Sequence, residues 1–171
     1  MRPDFTTYRM RDLFILLILF PSFSQAQTAS ELVDIGYKNY ELGDYKEAIL
    51  HFDKAAKIDG KNPEIFYLMG VCKSQSGRNK EAIVDYNIAL KLDPSYAEVH
   101  YEKGYALFLL DQLDESIKSF DKAIALKENY SEAWFNRGSI KCIKGDTKGA
   151  KADWDRAREL GAQIPDQECE L

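Results

Sequence analysis

Four glycines, Gly36, Gly70, Gly104 and Gly138, stand 34 residues apart. Twelve residues beyond each lie Ala48, Ala82, Ser116 and Ala150, and four further on the aromatics Phe52, Tyr86, Phe120 and Trp154. Three residues later the series closes on Ala55, Ala89, Ala123 and Ala157. No insertion or deletion breaks the register. A fixed period of this length marks a stack of identical supersecondary units, each burying its apolar face against its neighbours.

Each period divides into two helices. Ile83, Tyr86, Ala89, Leu90 and Leu92 recur at spacings of three and four or nearly so, the signature of one apolar helical face. Gly43-Asp44, Gly77-Arg78 and Gly145-Asp146 separate the helices within a period, with Asp111-Gln112 standing in for glycine in the third. Asn62-Pro63 and Asp93-Pro94 separate one period from the next, because proline starts a helix and does not continue one. The pattern predicts helices near 29–42, 45–58, 63–76, 79–92, 97–110, 113–126, 131–144 and 147–160. Small residues let paired helices approach closely, and the aromatic fills the space beside them.

With this period, this ladder and stretches such as GRNKEAIVDYNIALKLDPSYAE and DESIKSFDKAIALKENYSEAWFNRG, the chain resembles the tetratricopeptide repeat family. The resemblance implies an all-α fold: an α-solenoid of four repeats, eight antiparallel helices wound into a right-handed superhelix. The repeats span 29–62, 63–96, 97–130 and 131–162, followed by a short tail, 163–171. First helices are expected to line a concave groove and second helices to form the back. Departures are local: His100 takes the slot held by Leu32, Phe66 and Trp134, and is expected to be a packed or hydrogen-bonded residue. The apolar positions Ile49, Ile83 and Ile117 give way to Lys151, and Ala56, Leu90 and Ile124 to Arg158. That change predicts that the stack ends with the fourth repeat.

Residues 1–26 do not follow the period. Arg2, Arg9 and Arg11 precede the apolar run Leu13–Phe20, and Ser24-Gln25-Ala26 offers a small-residue cleavage site before Gln27. Basic, apolar and small-residue segments in that order read as a secretory signal peptide. A retained membrane anchor is the competing reading, and is weaker on length, since a span needs about 20 apolar residues. The expectation is an exported chain, periplasmic or extracellular, or one membrane-anchored by an uncleaved N-terminal segment.

Chemical motifs are sparse. The sequence holds no Gly-rich phosphate loop, H-E-x-x-H or G-x-S-x-G pattern, and its two histidines and three cysteines form no metal framework. A net charge of −5 without basic runs argues against a nucleic-acid partner. No enzyme activity, cofactor, metal or small-molecule substrate is expected. Cys72 and Cys142 are two repeats apart, too far for a disulfide, and are expected to be buried free thiols; Cys169 could pair only if the tail folds back.

What remains is a surface. The fifth position of each repeat holds Val33, Tyr67, Tyr101 and Phe135; the ninth Tyr37, Val71, Tyr105 and Ser139; the twelfth Tyr40, Ser74, Phe108 and Cys142. Glu64, Glu98 and Glu132 at the second position make an acidic rim, with Asp34, Glu102 and Asn136 at the sixth. Members of the family that grip a carboxylate terminus use Lys and Asn where this chain has Val33 and Tyr37, so that clamp does not carry over. The expectation is a non-catalytic interaction module. It would bind a peptide segment of a partner protein through Tyr37, Tyr67, Val71, Tyr101, Tyr105, Phe108, Phe135 and Asn136. The alternative is an envelope assembly subunit acting through its convex face or solenoid ends.

Overall fold

The structure, a computed structural model, describes residues 27–164 and 169. Residues 1–26, where the signal-peptide reading falls, lie outside them. The described chain forms eight helices: α1 Ala29–Glu41, α2 Tyr45–Ile58, α3 Pro63–Gln75, α4 Asn79–Leu92, α5 Ala97–Leu109, α6 Leu113–Leu126, α7 Ser131–Ile143 and α8 Thr147–Glu159. Five of these helices end one residue before the expected position, and every start agrees with the expected one.

Local chemistry sets these boundaries. Thr28 opens α1 with a capping box: its hydroxyl accepts from Glu31 N at 3.2 Å and its own N–H donates to Glu31 Oε2 at 2.8 Å. Asp44 and Asp146 cap α2 and α8, and Asn62 caps α3 ahead of Pro63. All four first helices end alike. One residue adopts positive φ, and the N–H after it reaches back to a carbonyl five residues earlier, as in Asp44 N to Asn39 O and Gln112 N to Leu107 O, both 2.9 Å. The positive-φ residue is Gly43, Gly77 and Gly145 in three repeats, and Asp111 (φ 59°) in the third.

Within each repeat the two helices meet where the glycine faces the aromatic. A Cβ on Gly36 would stand 2.6 Å from Phe52 Cε1, and one on Gly138 2.8 Å from Trp154 Cδ1. Only glycine fits there. Successive helices pack on one another, and α3 meets α5, and α5 meets α7, directly. The apolar interior is correspondingly a chain of clusters: Leu32, Phe52 and Ile65 across repeats 1 and 2, Tyr86 and Val99 across 2 and 3, Phe120, Ala133 and Ile140 across 3 and 4. This is an α-solenoid of four helix pairs. Of the two residues expected to mark the terminal face, Lys151 on α8 is exposed and Arg158 half-buried.

One expectation is overturned. Cys142 is not a free buried thiol; it is half-buried and disulfide-bonded to Cys169, with their Cα atoms 5.5 Å apart. The distance between repeats excludes a Cys72–Cys142 bond but says nothing of the tail. After α8 the chain turns at Gly161 (φ 93°), where Ala162 N donates to Ala157 O at 3.0 Å, and the bond holds Cys169 to α7. Cys72 remains free and buried.

Candidate functional site

The first helices carry the residues singled out from the sequence. Tyr37 (46% exposed) and Tyr105 (40%) offer the most open rings. Tyr67, Tyr101, Phe108 and Phe135 are half-buried. Val71 is buried and packs with Ala82, Tyr86 and Ala106, so it lies beneath the surface rather than on it. Asn136 is half-buried, and its Nδ2 donates to the Tyr101 hydroxyl at 3.0 Å, which ties α7 to α5 across the face.

The rings meet in local groups along the first helices. Tyr37 and Tyr40 are 5.9 Å apart between centroids, and Tyr105 and Phe108 6.4 Å. Two further tyrosines belong here that sequence reasoning passed over. Tyr96 sits 5.3 Å from Tyr67, and Tyr130 stacks on Tyr101 at 4.8 Å. Each stands just before a first helix and comes 29 residues after its fifth-position partner. The signal was present in the 34-residue spacing of Tyr96 and Tyr130 themselves.

The acidic rim is unevenly engaged. Glu64 is exposed. Glu132 is exposed and accepts from Ser131 Oγ at 3.0 Å. Glu98 pairs with Lys127 at 3.0 Å, and the same ammonium lies 4.6 Å from the Tyr130 ring. Contact with Lys127 holds the Glu98 carboxyl below its ordinary range, outweighing the opposing effect of its partial burial. Glu102 on α5 is different: burial alone pushes its carboxyl up, and no hydrogen bond or ion pair reaches it among the described residues. Burial likewise pushes Tyr101 up to about 12 and raises Tyr67 and Tyr130 further, with the Glu102 charge contributing in each case. All three hydroxyls stay protonated and able to donate.

At the N-terminal end of this face, α1 and α3 enclose an open depression of about 430 Å³ lined by Val33, Asp34, Tyr37, Lys38, Glu41, Glu64 and Leu68. Cys142, at the twelfth position of the fourth repeat, is taken up by its bond to Cys169. His100 is half-buried, with Nε2 3.1 Å from Pro94 O, and burial depresses its pKa; it is a hydrogen-bonded packing residue. Among the described residues no three His, Cys, Asp or Glu side chains gather as metal ligands would, and no helix is long and apolar enough to cross a membrane.

A stack of helix pairs packed in succession defines the α-solenoid repeat class. The sequence profile of the TPR repeat matches residues 36–72, 74–111 and 104–145, and the chain belongs to that family. Among solved structures, a MamA protein is 27% identical, with 77% of this chain and 72% of that one aligned at a TM-score of 0.72. The first TPR of Spaghetti (RPAP3), solved bound to the HSP90 peptide SRMEEVD, is 28% identical over 70% of this chain and 95% of that one, at a TM-score of 0.68. YrrB, described as a TPR protein with an unusual peptide-binding site, is 23% identical over 78% and 69%, at a TM-score of 0.69. None of the curated proteins matches the sequence.

Proposed function

We propose that this chain is a protein-interaction module that holds an extended segment of a partner protein against its first-helix face. The observation that carries the reading is the series of rings along the first helices, Tyr37 and Tyr105 exposed and Tyr67, Tyr101, Phe108 and Phe135 half-buried. Tyrosines supply wide, rigid contact area with a polar tip at small entropic cost. The RPAP3 domain, whose structure holds a peptide, supports the same use of this fold. Val33 and Tyr37 replace the groups that would grip a carboxylate terminus, so an internal segment with apolar and basic residues suits this face better. Binding needs no catalysis, cofactor or metal.

The reading includes export. The order of segments in residues 1–26 supports it, and so does the Cys142–Cys169 bond, since disulfides persist in oxidising compartments. N-terminal sequencing of the protein from its host would give Gln27 as the first residue.

A second reading, assembly through the back of the solenoid, is favoured by one observation. Ile58, Leu92 and Leu126 are exposed at the 34-residue spacing along the second helices, as are Leu50 and Val84. Crosslinking and pull-down from the native host decides between the two. Replacing Tyr67, Tyr101 and Phe135 together with Ala should abolish partner capture while leaving the helical signal intact; capture unchanged in a folded variant rules out the groove.

A further inference from the structure

The second helices carry a pattern on their outer side that the groove does not use. On α2 the side chains of Ala48, Phe52 and Ala55 are buried. Helical geometry therefore turns the twenty-second, twenty-sixth, twenty-ninth and thirtieth positions of a repeat away from the core. On α2, α4 and α6 those positions hold the aliphatics Leu50, Ile58, Val84, Ile88, Leu92 and Leu126. The rest are Lys54, Lys57, Lys91, Lys118 and Lys122, with Ala125. All are exposed and none is acidic. Ile58 and Val84 keep 58% of their surface in solvent, and Leu50 and Leu126 45%.

The charge of this face is not cancelled within the chain. Lys57 meets Asp53 on its own helix at 2.5 Å, but Lys54, Lys91, Lys118 and Lys122 form no ion pair among the described residues. Neighbouring acids are engaged elsewhere, Glu81 by Arg78 and Asp121 by Arg137. The pattern stops at α8, where Glu159 takes the twenty-ninth position and pairs with Arg156 at 2.8 Å. A basic face on a chain of net charge −5 is a local feature, and it sets a direction for approach to an anionic surface.

Composition decides what that surface is. Protein hot spots are built from Trp, Tyr and Arg, with Leu, Val and Lys under-represented. This face is the reverse, branched aliphatics interleaved with lysines and no ring. Such a mixture suits the edge of a bilayer. The aliphatics enter the headgroup boundary, and each lysine lays its stem along them while its ammonium stays among anionic headgroups.

We propose that the back of the solenoid, from α2 to α6, is a peripheral docking surface for an anionic lipid bilayer. It goes beyond the groove reading and does not depend on it, and it competes with protein assembly through the same face. Docked this way, the protein would turn its first helices, with the exposed Glu64 and Glu132, away from the lipid and toward a partner.

The test is co-sedimentation of the protein, purified from its native host, with two kinds of vesicle. One is pure phosphatidylcholine and the other an equal mixture with phosphatidylglycerol. The expected result is pelleting with the mixed vesicles alone, reversed by about 1 M salt. Lys91→Gln, Lys118→Gln and Lys122→Gln together should lower partitioning roughly a hundredfold, about fivefold per lysine. Val84→Gln, Ile88→Gln and Leu92→Gln together should lower it roughly tenfold or more. All six positions are exposed and Gln is a good helix former, so circular dichroism should be unchanged. The triple alanine variant of Tyr67, Tyr101 and Phe135 should pellet as the wild type does. Its partner capture is read separately, so failure of the lipid test leaves the groove reading standing. No pelleting of the wild type, equal pelleting with both vesicles, or pelleting untouched by either surface variant would overturn the proposal. So would a wild-type dimer on gel filtration that the α4 variant dissolves, which assigns the face to a second copy of the chain.

Discussion

Arg137 on α7 and Asp153 on α8 meet through two parallel hydrogen bonds, Nε to Oδ2 at 2.8 Å and Nη2 to Oδ1 at 2.7 Å. Lys141 adds a third contact to the same carboxylate at 2.8 Å, and the remaining Arg137 arm reaches Asp121 of the preceding repeat at 2.6 Å. The Asp153 side chain is only 5% exposed and that of Asp121 51%. One guanidinium therefore fixes the last helix pair internally and onto its neighbour. Repeat 2 uses the same register, with Lys73 on Asp85 at 2.6 Å.

That geometry separates two carboxylates by their energetic weight. Removing Asp153 takes a buried carboxylate from two half-buried cations and leaves Arg137 only the exposed Asp121, so Asp153→Ala should cost about 3 kcal/mol. Asp121→Ala removes a solvent-screened contact and should cost under about 1 kcal/mol. Trp134 and Trp154, the chain's two tryptophans, both lie in this helix pair. Tryptophan fluorescence during urea unfolding reads the difference directly, and equal losses would show that the buried pair carries no special weight.

Asp111 occupies the left-handed position that glycine fills in the other three repeats. A residue with a Cβ pays about 1 kcal/mol or more there, and glycine returns part of that gain as unfolded-chain entropy. Asp111→Gly should therefore raise stability by about 0.5–1 kcal/mol. The urea midpoint should move upward, and a fall would mean that the Asp side chain contributes a contact worth more than the strain.

The glycine–aromatic contacts are not uniform. A Cβ on Gly36 would come within 2.6 Å of Phe52, whereas one on Gly104 would stand 3.0 Å from Phe120. Gly36→Ala should cost about 1–3 kcal/mol through overpacking, and Gly104→Ala distinctly less. In repeat 3 the partner residue is Ser116, whose buried hydroxyl donates to Gly104 O at 2.6 Å. Reversal of the order in circular dichroism melts would contradict the contact distances.

The glycine and aromatic positions were legible in the sequence because they recur in every period and act over one helix pair. The paired tyrosines Tyr96 and Tyr130 were legible in principle, by the same spacing, once their place beside Tyr67 and Tyr101 is known. The buried ion pairs were not. Asp85 and Asp153 look like ordinary helix-surface acids, and only the antiparallel register brings each opposite a lysine of the preceding helix, Lys73 and Lys141. Glu98 and Glu102 were visible as acids at the second and sixth positions of the third repeat, and their different partners were not; Lys127 reaches Glu98 and not Glu102. The disulfide depended on the path of the tail, which has no period.

The Cys142–Cys169 bond closes a loop with a sequence separation of 27. Cross-links of that span stabilise by about 3 kcal/mol, mainly by restricting the unfolded chain. Thiol titration of unreduced, denatured protein should find one thiol per chain, Cys72, and three after reduction. In the native state even that one should stay silent, since burial pushes the Cys72 thiol up to about 12. Reduction should lower the unfolding midpoint reported by the two tryptophans. Three thiols without reductant would remove the bond.

Glu102 makes a prediction of opposite sign from most buried charges. Burial raises its carboxyl pKa in the folded chain above that of an unfolded chain, about 4.3. The fold therefore takes up this proton at a higher pH than the unfolded state does. Its stability contribution is unfavourable at neutral pH and recovers as pH falls through the raised value. Glu102→Gln carries no such charge, so it should be more stable than the wild type at about pH 7.5. The two should converge near about pH 4, where protonation of the carboxyl removes most of the difference. Thermal melts of both proteins from about pH 4 to 8 measure this, and a wild type at least as stable at every pH would show that Glu102 already has its partner within the fold.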